Sequence, residues 1–161
     1  MVAELPADKM PPPHPTAITR FQRLFRVAAE LELGKADLER YEEFLDERVY
    51  SLLLRGEANA KWSGDLIIEP WNVPITAGLQ ECIKVFKKMD ETIELQPILD
   101  RLEKQPPLGL IYSDDTEGML PEIGGGVSVA LARAFKIIDP GLKHPHSEHW
   151  DRATRIFNLL L

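Results

Sequence analysis

Cysteine, long apolar runs and targeting signals are scarce in this sequence. Cys82 is the single cysteine in 161 residues, so no intrachain disulfide can form and a reducing compartment is favoured. No apolar run reaches the ~18 residues that a membrane span requires. The N-terminus lacks the basic, apolar and small-residue regions of a signal peptide. We therefore predict a cytoplasmic protein that does not associate with membranes and whose lone thiol is buried and inert.

Basic residues are too few for a protein that coats nucleic acid. The chain holds 19 Lys and Arg against 26 Asp and Glu, which gives a net charge of −7. A protein that wraps DNA must neutralise phosphates and is normally basic. The net negative charge therefore counts against general DNA wrapping. It does not exclude a local basic face.

What the sequence does contain is a short–long–short pattern of apolar segments that occurs twice. Apolar residues recur at steps of three and four along two long segments, which predicts one buried stripe on each of two long helices. The first stripe is Leu38, Tyr41, Leu45, Val49 and Leu52, and the second is Leu120, Ile123, Val127, Leu131 and Ala134. A shorter helical segment is predicted on either side of each long one.

This pattern predicts an all-α protein made of two tandem histone folds that pair within one chain, with short β-like loop segments. Residues 1–15 contain five prolines and are predicted to be a disordered tail. Residues 16–90 are predicted to form the first histone fold and residues 91–161 the second. Because neither half can bury its long helix alone, we expect one intertwined unit.

Capping and breaking residues set the expected helix boundaries. The helices are predicted from Thr16 or Thr19 to near Leu31, from about Lys35 to Trp62, from Asn72–Pro74 to Lys88, from a cap at Thr92 to before Pro106, from a cap at Asp114 or Asp115 to Ile138, and from Ser147 to about Leu160. Short extended runs are expected at 66–68 and 108–111. Pro121 and Gly124–Gly126 disfavour a helix, so they indicate either a kink or the close approach of another helix.

Short sequence words spread over some 140 residues resemble the DUF1931 family of bacterial tandem histone-fold proteins. The words are Phe21–Phe25, Glu57–Lys61, Asp65–Pro70, Met89–Glu91 and Arg155–Leu161. The resemblance extends from about Ile18 to Leu161. It implies a fold and a mode of pairing, and it supplies no established activity.

The stretch 64–73 also resembles the second loop of a histone fold, with one important departure. In DNA-packing histones an arginine, a lysine and a threonine follow the loop glycine, whereas here Asp65, Leu66 and Ile67 follow Gly64. A carboxylate beside a phosphate costs on the order of 1 kcal/mol at ~4 Å in water. The standard DNA contact therefore cannot be transferred to this half.

Five basic residues are candidates for binding DNA phosphate. Arg20, Arg23 and Arg26 recur every three residues on the first helix, and Lys35 and Lys143 are expected to lie near that face. Arginine is well suited to phosphate. The alternative, which we favour, is the solvated face of an amphipathic helix, paired with Glu30 or Glu39.

Three histidines, His144, His146 and His149, fall within six residues and are weak candidates for a metal site. Zinc needs three or four converging ligands, and this stretch has no cysteine and no i,i+4 histidine pair. We favour loop and capping histidines, and therefore predict no metal and no cofactor.

Three tryptophans could stack bases or anchor a protein partner. We expect Trp62, Trp71 and Trp150 instead to pack across the paired loops. Adjacent carboxylates, such as Asp114 and Asp115, are typical of solvated helix faces. No nucleophile–base arrangement is readable, so no enzymatic activity is predicted.

These observations predict a non-catalytic scaffold whose two halves pair with each other and which binds a protein partner or a second copy of itself. The alternative is a nucleoid-associated protein with weak, sequence-independent DNA binding through the arginines of the first helix. The two hypotheses differ in whether the five basic residues converge on one face.

Overall fold

A computed structural model describes residues 17–161, so the tail predicted for residues 1–15 lies outside the described residues. This part of the chain is mostly helical, with one very small sheet. Its helices are α1 (Ala17–Ala29), α2 (Asp37–Trp62), α3 (Ala77–Lys88), α4 (Leu95–Glu103), α5 (Asp114–Ile138) and α6 (Ser147–Leu160), and its strands are β1 (Ile67–Ile68) and β2 (Ile111–Tyr112). The predicted all-α class is confirmed.

The predicted caps of three helices are wrong, although the helices themselves form. Asn72 belongs to a 3-10 turn, where its side-chain oxygen accepts from the Glu69 amide at 2.7 Å, and Thr76 caps α3 instead. Ser113, rather than Asp114 or Asp115, accepts from the Thr116 amide at the start of α5. The fourth helix begins at Leu95 with Glu94 as its cap residue, so Thr92 precedes it. In each case a neighbouring residue provides the extended conformation that a cap requires.

The stripes of the two long helices form the core. Leu45, Val49 and Leu52 of α2 are buried, and so are the central apolar residues of α5. A hydrogen bond of 2.7 Å between the hydroxyls of Tyr41 and Ser128 joins the two helices within this core. The two long helices therefore meet in one core, which α3 and α1 also help to form by packing on α5.

The glycine triplet in α5 marks the close approach of another helix. A Cβ at Gly125 would collide with the ring of Phe86, and one at Gly126 would lie 3.1 Å from the backbone nitrogen of Ile83. Both neighbours belong to α3. Of the two readings that the sequence left open, the structure supports close packing, and α5 continues as one helix through the triplet and through Pro121.

The two predicted halves, residues 16–90 and 91–161, meet at two loop pairs, and in each pair a loop preceding one long helix lies against the loop following the other. At one pair β1 lies parallel to β2, with Ile67 opposite Ile111. At the other pair the Glu32 amide donates to the Lys143 carbonyl at 2.7 Å. We call residues 57–72 and 108–117 the sheet end, and residues 30–36 and 139–146 the loop end. The 26 residues of α2 separate the two ends by about 39 Å.

None of the helices within residues 17–161 has both the length and the apolar character needed to cross a membrane.

Candidate interaction surface

The arginines of α1 are engaged by carboxylates of the chain itself. Arg20 lies 2.6 Å from a carboxylate oxygen of Glu94, and Arg23 lies 2.7 Å from one of Glu91. Both acids follow α3, so these two arginines face the connector to α4. The expected partners Glu30 and Glu39 are wrong, but an ion-paired helix face is what the structure contains.

Arg26 points to the loop end rather than to that connector. Its Nε and Nη2 donate to the two carboxylate oxygens of Glu32 at 3.0 and 3.1 Å. This hydrogen bonding lowers the pKa of Glu32 below its ordinary value. Lys35 and Lys143 are exposed on the two loops of the loop end, residues 30–36 and 139–146. The five basic candidates therefore divide into two groups, with Arg20 and Arg23 in one and the other three near the loop end.

The histidine stretch acts as a cap and a loop brace. The His146 amide donates to Nδ1 of His149 at 3.0 Å, which places the proton of a neutral His149 ring on Nε2, 3.4 Å from Asp139. Nδ1 of His144 lies 3.2 Å from the Glu32 carbonyl oxygen on the facing loop. Within residues 17–161, no group of three His, Cys, Asp or Glu side chains is arranged to hold a metal ion.

The tryptophans differ sharply in their surroundings. Trp150 is 5% exposed, packs edge-on against Phe135 and donates its indole N–H to Asp37 at 3.1 Å. Trp62 and Trp71 are 93% and 75% exposed. The prediction that all three pack across the loops is therefore wrong for Trp62 and Trp71. The second loop is closed by Ile68 and Asn72, which are both buried, and the two indoles lie outside it.

Trp62 and Trp71 are among the large apolar side chains that are exposed on the segments of the sheet end. Leu66 is 83% exposed and Ile111 is 71% exposed, and Ile111 lies opposite the partly exposed Ile67 in the sheet. We define the sheet-end patch as Trp62, Leu66, Trp71 and Ile111. Large apolar side chains grouped on the surface of a folded protein mark interaction sites more often than isolated ones do.

Hydrogen bonds hold the backbone beneath the sheet-end patch. Glu57 of α2 accepts from the amides of Gly109 and Leu110 at 2.6 and 3.2 Å and from Lys61 at 3.0 Å. These bonds, with that to Lys61 the largest contribution, lower the pKa of Glu57. The Thr116 hydroxyl donates to the Ile68 carbonyl at 2.8 Å, so α5 is tied to β1. The patch is therefore presented on a fixed scaffold.

Hydrogen bonds also fix the turn that carries Trp71. The side-chain amide of Asn59 donates to the Asn72 carbonyl at 2.8 Å, and that of Asn72 donates to Asp65 at 3.2 Å. Asn59 lies one helical turn before Trp62. These bonds join the end of α2, which carries Trp62, to the turn after β1, which carries Trp71.

Charge at the sheet end is strongly acidic. Its two segments contain a single basic residue, Lys61, which is paired with Glu57. The carboxylates are Glu57, Asp65, Glu69, Asp114, Asp115 and Glu117. Six acids against one base leave a net charge of −5 on these two segments, out of −7 for the whole chain. The two segments of the sheet end are therefore acidic.

Burial shifts the pKa of two other ionisable groups, Asp46 and Cys82. Burial raises the pKa of Asp46, against the opposing effect of its ion pair with Arg101. Burial likewise raises the pKa of the Cys82 thiol. This disfavours the reactive thiolate, in agreement with the predicted buried and inert cysteine.

A cavity of about 170 Å³ lies between α1, α2 and the connector to α4, with Phe21 and Leu45 among its lining residues.

Sequence reasoning missed the role of Glu57 and the exposure of the patch. Glu57 lies inside a helix and bonds to amides more than 50 residues away, so no local pattern marks it. The patch had a signal in the sequence. Leu66 and Ile67 are consecutive in an extended run, so at least one of them must point away from the core.

Together these features define a class: a mostly helical protein with a very small parallel two-stranded sheet and with acidic and exposed apolar side chains at that sheet. The chain belongs to the DUF1931 family, a domain of unknown function, which matches residues 21–158. The predicted family membership is confirmed.

Three comparisons with individual proteins agree with this assignment. A crystal structure of a protein from Thermus thermophilus is 46% identical, with a TM-score of 0.86 over 89% of this chain and 97% of that chain. A crystal structure of an Aquifex aeolicus protein shares the fold at 22% identity, with a TM-score of 0.77 over 92% of this chain and 97% of that chain. An uncharacterised protein of Aquifex aeolicus (strain VF5) is 23% identical over 122 residues, which are 76% of this chain and 71% of that protein.

Proposed function

We propose that this protein is a non-catalytic scaffold in which two tandem histone folds pair within one chain and offer the sheet end to a protein partner. The order of helices supports the histone-fold part, with 13, 26 and 12 residues in the first half and 9, 25 and 14 in the second. The two loop pairs support pairing between the halves.

The exposure of the sheet-end patch is the observation that carries the binding function. Indole side chains provide large contact areas with few rotatable bonds, so they are frequent anchors in protein interfaces. Burial of a large apolar side chain contributes roughly 1.5–3 kcal/mol. This free energy is available to a partner that covers Trp62 and Trp71. Their fixed backbone favours a preformed binding surface.

The test cross-links proteins of the native cells to the natural chain and to the double variant Trp62→Ala plus Trp71→Ala. The proteins captured by the two chains are then compared. We expect a stoichiometric partner that cross-links to the sheet end and whose purified form binds the natural chain at least tenfold more tightly than the variant. Leu159→Ala plus Leu160→Ala is the matched control, because these leucines are exposed on α6. Equal binding by both variants would remove the sheet end from the proposal.

Weak DNA binding is the second candidate, and the exposure of Lys35 and Lys143 beside Arg26 favours it. The ion pairs of Arg20, Arg23 and Arg26 leave few free cations, so we expect micromolar or weaker duplex binding at ~0.15 M salt, with a log–log salt slope near −3 for about three phosphates. Lys35→Glu plus Lys143→Glu should abolish the binding seen at low salt. Fluorescence anisotropy across a salt series measures this, and nanomolar affinity with a steep slope would place DNA binding first.

A further inference from the structure

We propose that the sheet end binds a basic segment of a partner protein, in which large apolar side chains are flanked by lysine or arginine. This inference rests on the proposed scaffold function and specifies the chemistry of the partner. It follows from two properties of one surface, the exposed apolar patch and the excess of carboxylates around it.

The apolar component supplies the anchor points. Trp62 ends α2, Trp71 lies in the turn after β1, and Ile111 lies on β2, so three separate elements of the sheet end carry exposed apolar side chains. Their backbone is held by the hydrogen bonds of Glu57, Thr116 and Asn59 described above. A partner that covers this patch therefore gains burial without ordering the scaffold first, which lowers the cost of association.

The charged component selects the partner. Of the six carboxylates at the sheet end, Glu57 is saturated by two amides and Lys61, and Asp65 accepts from Asn72. The other four, Glu69, Asp114, Asp115 and Glu117, form no ion pair with any residue in the described part of the chain. Asp114 and Asp115 are exposed and closely follow β2. Carboxylates that lack an ion pair and lie beside exposed apolar side chains complement a cationic segment.

The same charges disfavour the other occupants of such a patch. A second copy of the chain would bring its own six carboxylates against these, and like charges in an interface are repulsive. Nucleic acid and anionic lipid would meet the same repulsion. A partner with lysine or arginine beside its apolar anchors turns this unfavourable field into an attraction.

The test uses three synthetic peptides with the purified full chain. The probe is acetyl-KWKKLLKKWKKLLK-amide, and its two matched relatives carry glutamine or glutamate at every lysine position. Titration calorimetry measures binding at ~0.05 and ~0.5 M salt, because screening weakens a charge-selected contact. Circular dichroism melts of each protein variant alone confirm that it is folded.

Asp114→Asn plus Asp115→Asn removes two charges at the sheet end, and Glu39→Gln plus Glu43→Gln removes two exposed charges near the start of α2. We expect the lysine peptide to bind at least tenfold more tightly than the glutamate peptide. The sheet-end charge variant should weaken the lysine peptide about fivefold, and the α2 variant less than twofold. Trp62→Ala plus Trp71→Ala should weaken it at least tenfold.

The outcomes separate the inference from the proposed function. The lysine and glutamine peptides could bind equally well to the natural chain and fail to bind the tryptophan variant. That result would overturn the selection by charge, but it would still support an apolar binding surface at the sheet end. Failure of all three peptides to bind at ~1 mM would overturn the basic-segment inference. Self-association of the natural chain that the tryptophan variant abolishes, seen by sedimentation, would replace the basic partner by a second copy.

Discussion

Gly125 of α5 lies directly against α3, and the ring of Phe86 occupies the space that a Cβ on Gly125 would take. Gly118, in the same helix, has no atom within 4 Å of an added Cβ. These two glycines therefore separate the intrinsic helix preference of alanine from the packing at the α3–α5 contact.

We expect Gly125→Ala to destabilise the protein by about 1–3 kcal/mol, since overpacking outweighs the gain of about 1 kcal/mol in helix propensity. Gly118→Ala should stabilise it by roughly 0.5–1 kcal/mol. Urea unfolding followed by circular dichroism measures both. Stabilisation by both substitutions would show that α3 yields easily and that the close approach is not required.

Arg48 is buried in α2, and its Nε and Nη1 find no hydrogen-bond partner among the described residues. Nη2 contacts Glu47 at 3.2 Å, and the guanidinium lies 5.5 Å from the ring centroid of Phe44. Counted from the first residue of each long helix, Arg48 in α2 and Gly125 in α5 occupy equivalent positions. At this position the first long helix therefore carries a large buried cation, and the second carries a residue without a side chain.

Replacing an incompletely paired buried charge by an apolar side chain of similar size is often neutral or stabilising, by about 1–4 kcal/mol. We therefore expect Arg48→Met to keep or raise the free energy of unfolding. Arg55→Met, at an exposed position on the same helix, should change it by less than about 0.5 kcal/mol. A loss above about 2 kcal/mol for Arg48→Met, in the same urea titration, would mean that the guanidinium is fully satisfied in solution.

Among the elements, α2 does more than bury a stripe, because its C-terminal turns organise the sheet end. Glu57 fixes the 108–110 segment through two amides, and Asn59 fixes the turn after β1. A single helix thereby sets the positions of both segments that carry the sheet-end patch.

The lowered pKa of Glu57 predicts an acid-sensitive sheet end. The folded-state pKa lies below the ordinary value of 4.5, so the ionised carboxylate stabilises the fold fully above that value. This contribution is lost as the pH falls through the folded-state pKa. Glu57→Gln should lower the melting temperature at pH 7 and reduce the drop between about pH 6 and about pH 3.

Calorimetric melts of the natural chain, Glu57→Gln and the exposed control Glu43→Gln measure this dependence. The control should follow the natural chain across the pH range. If Glu57→Gln loses as much stability on acidification as the natural chain does, the carboxylate is not a source of the acid sensitivity.

For the whole molecule, the packing of elements crosses between the halves. Helix α3 of the first half packs on α5 of the second, and α1 also packs on α5. The sheet takes one strand from each half. The most extensive helix packing, that of α3 on α5, therefore joins the two predicted halves.

We expect residues 1–90 and residues 91–161, expressed separately, to be unfolded or self-associated. Mixing them in equal amounts should restore the helical signal and a cooperative melt, because each supplies the stripe that the other must cover. Circular dichroism with light scattering measures helicity and mass. A stable, monomeric and helical 1–90 fragment would contradict the interdependence of the halves.

The family and most of the helical layout follow from the sequence by itself. Periodic apolar residues placed both long helices, and the structure has them at Asp37–Trp62 and Asp114–Ile138. Capping was less predictable. Ser113, Asp114 and Asp115 are all good cap residues, so local chemistry could not choose among them. The loop and capping role of His146 and His149 was predictable because it depends on residues only three apart.

The candidate surface was decided by the tertiary structure, because exposure and pairing depend on residues distant in sequence. Nothing near Trp62 or Trp71 shows that Ile68 and Asn72 close the loop and leave the indoles outside. Likewise, the partners of Arg20 and Arg23 lie about 70 residues away, beyond the reach of any helical pattern. The sequence alone determined which faces are apolar and which are charged, whereas the packing of one half on the other decided which of those faces meet water.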